Sequence, residues 1–116
     1  MSDIRAIYER IGADFDDVAS RLGSPALVER FAGKFVQDES FSQLGDALAA
    51  HDAKAAFRAA HTLKGMALNL GFSNLAAPAV ELTEALRPCV PEGVDVEPLM
   101  ATLRKAYNET VEALGE

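Results

Sequence analysis

The sequence predicts an all-α fold, an antiparallel four-helix bundle with short additional helices at its N-terminus. Apolar residues recur at helical spacing along the chain, and no stretch shows convincing strand alternation. The composition is rich in Ala and Leu, with few aromatic residues and no Trp, which favours helix packing over a β-sandwich. Of the 116 residues 49% are hydrophobic, enough for one core. We therefore treat residues 1–116 as a single helical domain.

Two short helices are predicted first, over residues 3–11 and 14–22. Gly12 interrupts the first helix and Gly23 ends the second. The apolar residues of the second helix follow the i, i+3, i+4, i+7 spacing of one helical face: Phe15, Val18, Ala19 and Leu22.

The next two helices are predicted from their start signals. Ser24 can act as an N-cap before Pro25 at the first helical position, and that helix should run to about Asp38. Ser40 is then expected to cap a fourth helix, which extends through Leu48.

Three longer helices follow. Asp52 is a good N-cap for a helix over 53–70, which Gly71 stops. The next helix begins at Ser73 or Asn74 and ends near Arg87, and the last covers about 96–114, after a loop at 88–95. Pro78 lies a turn inside its helix, where we expect a kink or a delayed helix start.

The helix over 53–70 has two unlike faces. Its core stripe is small and apolar, formed by Ala56, Ala59, Ala60, Leu63, Met66, Ala67 and Leu70. The opposite side, which we name the His61 face, combines cations, a histidine and apolar residues: Lys54, Phe57, Arg58, His61, Lys64, Gly65 and Leu68. A mid-helix Gly costs about 1 kcal/mol relative to Ala, so Gly65 suggests that space is needed there.

Each of these features also has an ordinary explanation. A lone helical histidine is most often a surface residue, and a row of cations is usually solvated. Phe57 and Leu68 could be covered by a second neighbouring helix, and Gly65 could allow close helix packing. Each ordinary explanation is individually the more probable one, but the coincidence of all four on one face favours a functional site.

Phosphoryl chemistry would use this set of residues well. Neutral imidazole offers one nitrogen lone pair at pH 7, so His61 can attack phosphorus directly. Lys64, at i+3, can neutralise phosphoryl oxygens, and Gly65, at i+4, leaves room for a bulky donor.

The segment from Ala60 to Gly65, followed by Ala67, by Asn69, Leu70 and Gly71, and by Leu75, resembles the signature of histidine-containing phosphotransfer (HPt) domains. The resemblance implies a phosphorelay intermediate, in which His61 accepts a phosphoryl group from a receiver-domain aspartate and passes it to another receiver. It implies that Lys64 assists and that Gly65 gives clearance. It also implies that receivers of hybrid histidine kinases and response regulators dock around His61. Our candidates for this partner binding are Lys54, Phe57, Arg58 and Leu68.

The resemblance further implies that the chain binds no ATP, and that the Mg²⁺ used in transfer belongs to the receiver. We expect no cofactor or metal of its own, and the sequence shows no clustered carboxylate pair or His/Cys ligand set typical of a hydrolase or metalloenzyme. Three residues depart from the family pattern: Met66, Pro78 and Thr83, the last where an acidic or amide side chain is frequent. A binding-only bundle that sequesters a response regulator remains the alternative function.

Charge and composition limit the other partners. A formal net charge of −7 disfavours binding to nucleic acid or to anionic membranes. The N-terminal stretch has neither the apolar run of a signal peptide nor the length of a membrane span, so we expect a cytoplasmic location. For a helical bundle with this charge we expect a monomer. We take the lone Cys89 as a spare thiol and His51, at a helix junction, as an ordinary surface residue.

Overall fold

The computed structural model describes residues 3–88 and 96–115. Most of the loop predicted at 88–95, with Cys89, lies outside the described residues. In the described residues the chain forms seven helices and no strand, each bounded within one residue of the prediction. They are α1 (Ile4–Arg10), α2 (Phe15–Leu22), α3 (Pro25–Gln37), α4 (Ser40–Ala49), α5 (Ala53–Leu70), α6 (Ser73–Leu86) and α7 (Glu97–Leu114).

Side-chain caps explain most of the helix starts. Asp14, Ser24 and Asp52 each accept a hydrogen bond from a backbone N–H of the first turn of their helix. The expected cap at Ser40 is wrong. Ser40 is itself the first residue of α4, and its N–H donates to the Asp38 carboxylate at 2.7 Å. The carboxylate two residues upstream is the stronger acceptor and satisfies this donor.

A glycine in the left-handed conformation ends α5 at the point where α2 approaches it closely. Gly71 follows α5 with φ 70°, a conformation that residues with a Cβ rarely adopt. A Cβ on Gly71 would also clash with the Val18 side chain of α2. The glycine therefore ends the helix and lets α2 approach its C-terminal end.

The long helices form the bundle. Short turns join α4, α5 and α6, which therefore run antiparallel, and α6 packs on α7. Helix α3 contacts both α5 and α7. The fold class predicted from the sequence is confirmed, with α5 in the centre between α4 and α6.

The N-terminal helices are attached to the C-terminal end of α5. Tyr8 of α1 is fully buried, and its hydroxyl donates a hydrogen bond of 2.6 Å to the Leu70 carbonyl. Its ring lies 5.4 Å from that of Phe15 and 5.5 Å from that of Phe72. Burial raises the pKa of the Tyr8 hydroxyl, because the phenolate would be poorly solvated there. This packing fixes one end of α5 and leaves its middle for the site described below.

Pro78 does not delay the start of its helix, because α6 begins at Ser73 and continues past the proline. The ring removes one backbone donor, but Pro78 is buried with the apolar side of α6, and this packing holds the helix. Thr83 is also fully buried, and its hydroxyl donates to the Ala79 carbonyl at 2.6 Å. Among the described residues, no helix is long and apolar enough to cross a membrane.

Candidate functional site

The two faces of α5 are divided as the sequence predicts. Six of the seven residues of the core stripe are buried, and Met66 is half-buried at its edge. Alanines at 56, 59, 60 and 67 let the backbones of neighbouring helices come close, which places the opposite side of α5 at the surface. The His61 face therefore has a rigid support.

The His61 side chain is exposed on this face. Among residues 3–88 and 96–115, no hydrogen bond or ion pair engages its imidazole. The nearest aromatic ring is that of Phe57, one turn earlier, with ring centroids 6.0 Å apart. The imidazole is thus accessible to another protein, as a nucleophile that serves a protein donor must be.

Lys64 is half-buried. It follows His61 by one turn on α5, and its positive charge acts on Glu84 of α6. The pKa of the Glu84 carboxyl lies below its usual range, first because Arg87 donates hydrogen bonds to it, and further because Arg87 and Lys64 carry positive charge nearby. Lys64 therefore sits in a small group of charges shared by two helices.

Phe57 is half-buried rather than open. The Arg87 guanidinium at the end of α6 lies 5.5 Å from the centre of its ring, a cation–π distance. The ordinary explanation for Phe57, cover by a second helix, is therefore partly right. Neither Arg87 nor Glu84 was found from the sequence, although their i, i+3 spacing and opposite charges identify a surface ion pair. What the sequence does not reveal is that this pair lies against Phe57.

Gly65 is exposed, and a Cβ built on it would meet no atom within 4 Å. The ordinary explanation, that this glycine lets two helices pack closely, is therefore wrong. The helix accepts an unfavourable residue at a point where the folded protein itself has no need of the space.

The remaining residues of the face lie at the surface. Leu68 is 51% exposed, and among the described residues it is the one large hydrophobic side chain in the exposed class. Lys54 and Arg58 are exposed as well. One apolar side chain and two cations are therefore accessible at the surface next to His61.

No group of three or more His, Cys, Asp or Glu side chains that could hold a metal ion occurs in the part of the chain that the structure describes. The described site therefore consists of an exposed imidazole, nearby cations and open space at Gly65.

Comparison with known protein families gives a match that covers the site. The family model described as the Hpt domain matches residues 36–114, which include the whole of α4, α5, α6 and α7 and more than half of the chain. Neither a curated protein nor a solved structure matches the chain significantly.

Proposed function

The chain belongs to the Hpt domain family, and on this premise we propose that His61 is the residue that carries the phosphoryl group. Hpt domains act in histidine phosphotransfer within two-component phosphorelays and interact with receiver domains. In our proposal, His61 accepts the group from the phosphorylated aspartate of one receiver and passes it to the aspartate of another. The observation that carries this assignment is the exposed imidazole, without a partner among the described residues, in the middle of a helix whose opposite side is buried in the core.

The chemical step needs little from the protein beyond position and charge. The lone pair of one His61 nitrogen attacks phosphorus as the bond between phosphorus and the aspartyl oxygen breaks. The aspartate leaves as a carboxylate, and the other ring nitrogen keeps its proton, so the ring becomes a phosphorylated imidazolium. Return transfer to a second receiver reverses these changes.

Lys64 and Gly65 would support this step in different ways. The Lys64 ammonium group, one turn from His61, would neutralise charge on the phosphoryl oxygens in the transition state. Gly65, with no side chain and open space around it, would let the receiver bring its aspartate in line with the imidazole. The Mg²⁺ of the reaction would belong to the receiver, and ATP would not take part.

The receiver would dock on the His61 face. Leu68 offers apolar surface that docking would remove from water, and Phe57 adds a ring edge beside the histidine. Lys54 and Arg58 would contribute positive charge towards an acidic partner surface. We propose receivers of hybrid histidine kinases and of response regulators as the partners, and a monomer in the cytoplasm as the working form.

A phosphotransfer assay tests this function. The protein is incubated with a ³²P-labelled receiver and Mg²⁺, and the label on each protein is followed with time. We expect transfer to the unmodified protein and none to His61→Gln. The control is His51→Asn, which replaces the second histidine, exposed and with a left-handed backbone that Asn tolerates. Equal labelling of His61→Gln would refute the assignment.

Lys64→Ala tests in the same assay whether the ammonium group of Lys64 accelerates transfer to His61. We expect slower transfer and an unchanged helical circular dichroism spectrum, because Lys64 contributes a partly covered stem and no core packing.

The alternative function is a binding-only bundle that sequesters a response regulator. It predicts a complex whose affinity is unchanged by His61→Ala, and no transfer of label at any time.

A further inference from the structure

Helix α6 adds a second set of charges to the His61 face. The Arg87 guanidinium donates two hydrogen bonds to the Glu84 carboxylate, from Nε at 3.0 Å and from Nη2 at 2.7 Å. This two-point geometry fixes the plane of the guanidinium as well as its position. The same guanidinium rests over the Phe57 ring, whose other neighbour is His61.

Glu84 is held by one cation of the site and feels the charge of a second. Arg87 is bound to it directly, and the Lys64 ammonium is close enough to favour its charged form. Both members of the ion pair are about half exposed, and exposed ion pairs are weak because water competes with them. A stronger anion nearby can therefore draw Arg87 away from Glu84.

We propose that Glu84 is the resident counter-ion of the His61 face, which holds Arg87 until a phosphoryl group on His61 competes for it. This proposal rests on the proposed phosphorylation of His61. It makes Glu84 a positioning residue that acts through Arg87, and it adds Arg87 as a cation that phosphorylation recruits.

Two properties favour this exchange: the larger charge of the phosphoryl group and the position of the Arg87 guanidinium beside the His61 face. A phosphoryl group on His61 carries nearly two negative charges and three acceptor oxygens, whereas Glu84 carries one charge and two oxygens. Phe57 keeps the Arg87 guanidinium on the side of α5 that carries His61, so Arg87 needs only to leave its carboxylate, not to cross the surface. Glu84 also repels the phosphoryl group, which makes the phosphorylated state less stable and transfer onward easier.

The two partners should therefore have opposite effects when they are neutralised. Glu84→Gln removes a repulsive charge and releases Arg87, so more phosphoryl group should reside on His61 at equilibrium with a receiver. Arg87→Gln removes an attractive charge, so less should reside there. For charges about 10 Å apart in an aqueous surface setting, each change corresponds to a roughly two- to fivefold shift in the equilibrium constant.

The experiment measures this equilibrium constant with one receiver at low salt and again at high salt. The matched control is Asp17→Asn, which makes the same change in net charge at another exposed ion pair, with Arg21 at 3.1 Å. That pair is on α2, which packs near Gly71, about 15 Å along α5 from His61. Thermal unfolding of each variant verifies that these surface substitutions leave the fold unchanged.

We expect Glu84→Gln to raise the equilibrium constant, Arg87→Gln to lower it, and Asp17→Asn to leave it unchanged, with the differences reduced at high salt. A Glu84→Gln variant that transfers like Asp17→Asn, or that lowers the constant, would overturn this inference while leaving the function of His61 intact. An unmodified protein that takes up no label on His61 would overturn the proposed function, and this inference with it.

Discussion

Replacing Gly65 by alanine is expected to stabilise the protein and to slow phosphoryl transfer at the same time. Gly65 lies well inside α5, exposed, with no atom within 4 Å of the position that a Cβ would take. The alanine methyl group can therefore be added without strain. The full difference in helix propensity, about 0.8–1.0 kcal/mol, should appear as extra stability. For a domain of this size it corresponds to a rise in Tm of roughly 4 °C.

The opposite effect on transfer comes from the docked complex. If the receiver uses the space above Gly65, a methyl group there must be accommodated in the complex, at a cost of about 1–3 kcal/mol. This cost corresponds to a transfer rate lowered roughly 5- to 150-fold. Stability is measured by urea unfolding monitored by circular dichroism, and transfer by the rate at which ³²P leaves the labelled receiver.

Gly33 provides the matched control. It lies inside α3, away from the His61 face, and a Cβ on it would also meet nothing within 4 Å. Gly33→Ala should give a similar gain in stability and leave the transfer rate unchanged. If Gly65→Ala transfers as fast as Gly33→Ala, the receiver does not need the clearance. If it is less stable than the unmodified protein, the helix around Gly65 is more crowded than the structure indicates.

Two further variants concern the C-terminal end of the same helix. Tyr8→Phe should lower the free energy of unfolding by about 1–3 kcal/mol, because the buried Leu70 carbonyl loses its donor, and urea unfolding measures this loss. The unmodified protein should also lose stability above about pH 10, because Tyr8 releases its proton there in the unfolded state, whereas burial raises its pKa in the folded state. Tyr8→Phe should weaken this pH dependence of the free energy of unfolding. An identical pH profile for both proteins would contradict the prediction. Leu68→Ser should weaken receiver binding roughly fivefold in a titration, since about 1 kcal/mol of apolar burial is lost, while stability changes by less than about 0.5 kcal/mol. Unchanged affinity would show that the receiver docks elsewhere.

The helices were predictable from sequence because their signals are local. A capping side chain such as Asp52 and a terminator such as Gly71 act within a few residues, and the spacing of apolar residues identifies the buried face. One error occurred where two polar side chains were available near a helix start. The Asp38 carboxylate accepts the N–H of Ser40, and Ser40 lies inside α4 instead of capping it. Pro78 did not delay the start of α6, because its side chain is buried with the apolar side of the helix.

The candidate site was predictable as far as it lies on one helix. Residues at i, i+3, i+4 and i+7 share a face whatever surrounds them, so the exposure of His61, Gly65 and Leu68 agrees with the helical wheel. The half-buried states of Phe57 and Lys64 depend on α6, whose rotation against α5 is set by the whole core. The contact between Arg87 and Phe57 joins residues 30 positions apart, and no local pattern reveals it.

The departure at Thr83 can now be interpreted in terms of α6. Thr83 is fully buried, and its hydroxyl donates a hydrogen bond to the Ala79 carbonyl. Its side chain therefore makes no contact with a partner at the surface around His61. The next residue, Glu84, is exposed, and with Arg87 it places polar groups from α6 at this face. A chain with a net charge of −7 repels phosphoryl groups at long range. Salt screens that repulsion beyond about 8–10 Å, so the cations on and beside the His61 face, among them Arg58, Lys64 and Arg87, contribute most to the electrostatics of the transferring group. Glu84 binds Arg87 and lowers the net positive charge that these cations present, and for this reason its neutralisation should affect transfer more than the loss of any distant carboxylate.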